Sequence, residues 1–276
     1  MYKDILLPIV THPDTCSVQS IQASIEIASL LDAHLTALTT EPKFPLPLTF
    51  RPYAKEVKEG IAEIQKKIGE TAARQFAYFE EEARRNGIAH ETIMAPCPEM
   101  DIRSTILNYA LLRNMTILPF IAEDSNWIGL AQSLIFESGH PVLILPNTPR
   151  RPFKLDRVVI GWDFTRAASR AIADALPLLQ RAAEVQVVIV RNEKPLSLGD
   201  SGAELAKHLA RNNVRVSLEE VDAAGRKIGD VLNSVAKGAD LLVMGAYGHS
   251  RIRDFILGGA TRAMLENPEV PILLSH

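Results

Sequence analysis

Residues 3–10 read KDILLPIV and residues 156–163 read DRVVIGWD. Each is a short apolar run that ends in polar residues and leads into a long helical pattern. Runs of that length, rich in branched side chains, read as strands. The likeness extends outward from both. AHLTALTT at 33–40 is matched in position by AEVQVVIV at 183–190. RRNGIAHETIMAPCPEMDIRSTILNYALLRNMTILPF at 84–120 lines up with ARNNVRVSLEEVDAAGRKIGDVLNSVAKGADLLVMGA at 210–246. Each half closes on a proline-led strand, HPVLILP at 140–146 and VPILLSH at 270–276. The chain is therefore an internal repeat. Strands alternating with longer helical patterns are the signature of a parallel α/β sheet with helices on its faces.

A chain of 276 residues suits two domains of ordinary size. The boundary falls in NTPRRPFK, 147–154, a proline-rich, basic stretch poor in apolar residues. The expected domains are 1–148 and 149–276. In the second half strands are expected near Arg157 to Trp162, Val185 to Arg191, Val214 to Val221, Asp240 to Gly245 and Val270 to Leu274. After Thr165, an expected N-cap, Ala168, Ile172, Ala175, Leu176 and Leu179 fall at helical spacing. The halves differ in one connection. Ala54 to Asn86 is a long charged helix with an apolar stripe of Ile61, Ile64, Ile68, Ala72, Phe76 and Phe79. Its counterpart, around Ala203 to Asn212, is short.

Apolar residues make up 47% and charged residues 23%, which fits a packed core. The net charge of -3 argues against a chain built to grip nucleic acid. Cys16 and Cys97 have no partner at redox or metal spacing, so a reducing compartment is expected. Cys97 sits between Pro96 and Pro98 and reads as a loop residue. The N-terminus lacks a basic flank and a cleavage site, and no run approaches ~18 apolar residues. A cytoplasmic protein with no membrane partner is expected. The seven histidines form no metal set, so no metal site is expected. Asn114-Met115-Thr116 matches a glycosylation sequon but lies in an expected strand.

One further stretch carries chemistry: VMGAYGHSRIRDFILGGATRAML, 243–265. It reads strand, Gly245, two residues, Gly248, nine residues, Gly258-Gly259-Ala260-Thr261, helix. In a parallel sheet, ligands bind beyond the carboxyl ends of strands. A helix start offers free N–H groups to an anion, and glycines allow close approach and positive φ. Thr261 adds a hydroxyl, and His249, Arg251, Arg253 and Arg262 add basic groups. The stretch is not a Walker loop, because the lysine is absent, and no Mg²⁺-carboxylate set is visible. Asp163, just beyond the first strand of the same half, either accepts hydrogen bonds from a ribose or base or caps the next helix. The backbone of Val190 and Arg191 can read an adenine edge. The candidate binding residues are thus Asp163, Val190, Arg191, Met244, Gly245, Gly248, His249, Gly258, Gly259, Ala260 and Thr261. No catalytic residue is assigned, since no general base is aimed at a substrate.

These residues resemble the universal stress protein family in its tandem two-domain form. Gly245, Gly248 and Gly258 match the spacing of the family's nucleotide motif. Gly259 stands where serine or threonine would follow. Thr261 matches the later hydroxyl and Asp163 the aspartate after the first strand. The resemblance implies two doubly wound, adenine nucleotide alpha hydrolase-like domains, each with a five-stranded parallel sheet. It implies adenine-nucleotide binding, ATP with or without Mg²⁺, and little or no hydrolysis. It also implies pairing through the final strand, as a homodimer or, in a tandem chain, as an internal pseudo-dimer. The first half departs from the motif. Val10 stands for Asp163, Pro119 stands near the Gly245 position, and the counterpart loop carries Glu123 and Asp124 with one glycine, Gly129. No ATP is expected there, and Trp127 reads as packing.

The expected function is a cytoplasmic stress-response protein that binds an adenine nucleotide in its C-terminal half as a regulatory ligand. The alternative is an interaction or dimerisation protein, with an unidentified protein partner, that uses no nucleotide. A slow ATPase ranks third.

Overall fold

The computed structural model describes residues 2–11, 15–43, 54–97, 101–121, 126–149, 152–191, 201–246 and 259–276. The first half runs β1 (Asp4–Pro8), α1 (Val18–Leu31), β2 (His34–Pro42), α2 (Ala54–Arg85), β3 (His90–Cys97), α3 (Ile102–Ala110), β4 (Met115–Pro119), α4 (Trp127–Glu137) and β5 (Val142–Leu145). The second runs β6 (Arg157–Gly161), α5 (Arg166–Leu179), β7 (Glu184–Arg191), α6 (Ser201–Arg211), β8 (Val216–Asp222), α7 (Ile228–Ala236), β9 (Leu241–Gly245), α8 (Gly259–Glu266) and β10 (Ile272–Ser275).

All strands join one 10-stranded sheet in the order β3-β2-β1-β4-β5-β10-β9-β6-β7-β8. Every neighbouring pair is parallel except β5 with β10. The sheet is thus two five-stranded parallel halves joined edge to edge, as the family resemblance implied. The register gives the residue equivalences. Ile9 N–H donates to Leu38 O as Trp162 N–H donates to Val188 O. Phe120 N–H donates to Leu145 O as Ala246 N–H donates to Ser275 O. By the same ladders Leu143 is the equivalent of Leu273, and these two residues face each other across the antiparallel junction. A residue paired with its own equivalent marks a local twofold axis, the geometry of an isologous dimer within one chain.

Helices cover both faces, so the strands are buried on both sides. On one face Ile25, Phe79, Ile172 and Leu209 of α1, α2, α5 and α6 join Ile5, Leu7, Val158 and Ile160 in one cluster. On the other, Ile106, Leu134, Leu232 and Met264 of α3, α4, α7 and α8 join Leu6, Leu38, Val159 and Leu242. Both clusters continue through β5 and β10.

Two expectations need correcting. Cys97 is the buried last residue of β3, where Lys43 N–H donates to its carbonyl. The adjacent Pro96 is tolerated because β3 is an edge strand and alternate residues turn their backbone outward. On α2, Ile68, Ala72 and Phe79 are buried, but Ile64 is 41% exposed. At 32 residues α2 is about 48 Å long and outruns the sheet it packs on. Asn114, the sequon asparagine, accepts from the N–H groups of Lys3 and Asp4, and Thr116 is buried in β4.

Candidate functional site

In the second half the strand order reverses at β6, which has β9 on one side and β7 on the other. The carboxyl ends of these strands define the switch-point crevice where such sheets bind ligands. Asp163 leaves β6 here. Its Oδ1 accepts from the Thr165 N–H at 3.1 Å and the Thr165 hydroxyl at 2.6 Å. Thr165 Oγ1 in turn accepts from Ala168 N–H, which caps α5. The cap is therefore Thr165, and Asp163 braces it with one oxygen. Its other oxygen has no hydrogen bond among the described residues and faces no competing role in the cap.

The structure separates Val190 from Arg191. Val188 O receives Trp162 N–H from the β6 side, so by strand alternation Val190 turns its N–H and C=O to that side too. β6 has already ended at Gly161, and among the described residues no backbone group meets Val190 there. Arg191 turns to β8 instead, where Ala223 N–H donates to its carbonyl at 2.9 Å. Its guanidinium pairs with Glu220 at 2.6 Å and holds that carboxyl below its usual range. Val190 offers an open edge to the crevice; Arg191 does not.

Gly245 does something the sequence reading did not anticipate. A Cβ placed on it would stand 2.3 Å from the Ala168 nitrogen and 2.5 Å from the Ala167 carbonyl carbon. The end of β9 thus lies backbone to backbone on the first turn of α5. Close approach to a helix requires this glycine, and its φ is not positive. Met244 turns to the opposite face and is buried against α7 and α8. Gly259 is the first described residue of α8, and no atom of the described residues lies within 4 Å of the position of its absent Cβ. Ala260 follows in the same turn, and Thr261 is buried. Gly248, His249 and Gly258 lie outside the described residues.

The residues missed from sequence flank Asp163. Phe164 has a φ of 60° and is 49% exposed. Trp162 meets it edge to face, and the Trp162 indole nitrogen is buried with no hydrogen-bond partner among the described residues. The signal was present as Trp-Asp-Phe at a strand end.

The first half shows what happens without these parts. Register places Val10 at Asp163 and Pro119 at Gly245. Trp127 is 1% exposed, and its indole N–H donates to Pro119 O at 2.7 Å. Phe120 packs against it edge to face at 5.0 Å. The indole therefore occupies the end of β4. Glu123 and Asp124 lie outside the described residues. Among the described residues no three His, Cys, Asp or Glu side chains gather as a metal site, and no helix is long and apolar enough to cross a membrane.

Residues 154–276 match the model of the universal stress protein family. No curated protein matches the chain. Three solved structures share the fold along nearly its whole length. A universal stress protein from Archaeoglobus fulgidus DSM 4304 superposes with a TM-score of 0.69 at 14% identity, covering 99% of this chain and 96% of its own. A functionally unknown protein from Pseudomonas aeruginosa PAO1 gives 0.59 at 13% identity, covering 98% and 92%. The cytoplasmic domain of a prokaryotic cation chloride cotransporter gives 0.52 at 10% identity, covering 99% and 95%. At these identities the likeness is one of fold.

Proposed function

With residues 154–276 forming a universal stress protein domain, we propose that this half binds an adenine nucleotide, ATP or a close relative, as a regulatory ligand in a cytoplasmic stress response. The observation that carries the proposal is Val190, whose N–H and C=O turn toward the side where Asp163 leaves the sheet and meet no backbone partner there among the described residues. One donor and one acceptor on a strand end suit the edge of a purine, and a carboxylate oxygen suits a ribose hydroxyl. Gly245, Gly248, His249, Gly258, Gly259, Ala260 and Thr261 are assigned to the phosphates, with or without Mg²⁺. Ligand binding then favours one arrangement of that edge and changes the surface a protein partner meets. The first half is proposed to hold no nucleotide, because Trp127 fills the end of β4.

Isothermal titration with ATP tests this. Saturable heat is expected, and Asp163→Asn weakens binding about fivefold by removing a charged acceptor. That variant keeps an oxygen for Thr165, so α5 stays capped. No heat above dilution at millimolar ATP overturns the proposal.

The second reading is an interaction protein that uses no nucleotide. α2 favours it, since Ile64 stands exposed on a helix that outruns the sheet. A melting temperature unchanged by millimolar ATP supports that reading instead.

A further inference from the structure

Thr165 has one hydroxyl and uses it twice. The hydroxyl donates to Asp163 Oδ1 at 2.6 Å, and the Thr165 N–H reaches the same oxygen at 3.1 Å. Its Oγ1 also accepts from the Ala168 N–H at 3.2 Å, in the first turn of α5. The Ala168 nitrogen in turn lies closest to the place of the absent Gly245 Cβ, 2.3 Å away. An unbroken run of contacts therefore joins Asp163, just past the end of β6, to Gly245, the last residue of β9. β6 and β9 are neighbours, and their carboxyl ends border the switch-point crevice. The chain reaches back from Thr165 to Asp163 through a left-handed turn at Phe164, with a φ of 60°. A bulky residue is strained in that region, and two hydrogen bonds onto a carboxylate oxygen offset the strain.

An unrestrained aspartate side chain samples several rotamers. Two hydrogen bonds onto Oδ1 hold this carboxylate in one orientation and leave Oδ2 over. An acceptor fixed before its ligand arrives spares the ordering cost at binding. We propose that Thr165 is a positioning residue, which holds Asp163 so that Oδ2 meets a sugar hydroxyl of the nucleotide. Through the same hydroxyl it ties that acceptor to the turn of α5 that packs on Gly245. Thr165 itself touches no ligand. The inference rests on the nucleotide reading and adds the residue that sets its sugar selectivity.

The test is calorimetric titration of the full chain, of Thr165→Val and of Thr165→Ser, with ATP and with 2′,3′-dideoxy-ATP, which lacks both sugar hydroxyls. Valine keeps the branched shape and loses the hydroxyl's hydrogen bonds; serine keeps them. The parent is expected to favour ATP over the dideoxy form by about tenfold. Thr165→Val is expected to cut that preference to about twofold by weakening ATP, and Thr165→Ser to retain it. In an Asp163→Ala background, Thr165→Val is expected to change ATP affinity by less than about twofold, since no carboxylate is left to hold. Uncapping α5 lowers stability but bears on both ligands alike, so the ratio isolates the positioning role. A Thr165→Val preference equal to the parent's overturns the inference and leaves the nucleotide reading standing. So does a serine variant that behaves as valine does, or an undiminished loss in the Asp163→Ala background. A parent that binds both ligands equally overturns it as well, because Asp163 then meets no sugar hydroxyl. A parent that gives no heat with ATP removes both readings together.

Discussion

Gly245 and Gly259 look alike in the sequence and differ in the fold. Any side chain at 245 meets the backbone of Ala167 and Ala168, whereas 259 has room among the described residues. Gly245→Ala is expected to cost ~1–3 kcal/mol or more through overpacking, read as a lower denaturant midpoint. Gly259→Ser is expected to leave stability within ~0.5 kcal/mol and to tighten ATP about fivefold by restoring a hydroxyl. A Gly245→Ala midpoint equal to the parent's would show that the two backbones do not meet as described. ATP bound no tighter by Gly259→Ser would remove the phosphate from that position. Cys16 gives a pH prediction. Burial pushes its thiol from 9.0 up to about 12. Between those values the folded chain keeps a proton that the unfolded chain releases. Its contribution to stability is therefore full below pH 9 and falls by ~1.4 kcal/mol per pH unit above it. Burial pushes the Tyr2 phenol in the same direction, starting one unit higher. Urea midpoints between pH 9 and 10 should slope downward in the parent and flatten in Cys16→Ala. A slope unchanged by the substitution would exclude the thiol as its source.

α4 carries Trp127 in its first turn. That indole is buried at the end of β4, held by Pro119 O and the ring of Phe120. Trp127→Ala should cost ~3–5 kcal/mol, and Trp127→Phe less, since a ring remains. Equal melting of Trp127→Ala and the parent would mean the side chain is not packed as described. The existence of these elements was legible in the sequence. Thr165 was legible as a cap because the helical spacing of Ala168, Ile172 and Ala175 begins just after it, and its hydroxyl does accept from Ala168. Cys97 was misplaced because flanking prolines suggest a loop. An edge strand tolerates proline on its outward side, and edge status is decided by neighbours, not by the local residues. The stripe on α2 was read in full, but nothing in a stripe says how much sheet lies beneath it. Ile68 and Phe79 found cover and Ile64 did not.

At the scale of the molecule, the halves share one sheet through β5 and β10, with Leu143 opposite Leu273. An isolated second half, residues 152–276, would expose β10 as an apolar edge. Because Leu273 is the equivalent of its own partner, two such halves can pair in the same antiparallel register. The isolated half is expected to run at twice its mass by light scattering, and Leu273→Lys is expected to abolish that pairing. A monomeric half with an intact sheet would contradict the self-complementary register. The sequence by itself determined the repeat, the order of strands and helices and the two-faced burial. These follow from local pattern, since apolar run length, helical spacing and turn chemistry are written in consecutive residues. Only the tertiary structure decided which backbone groups stay open at the crevice, that Gly245 serves a helix contact, and that Phe164 is strained into an exposed position. Each of those depends on what a distant segment places nearby: β6 ending before Val190, α5 lying on β9, and Asp163 bracing Thr165.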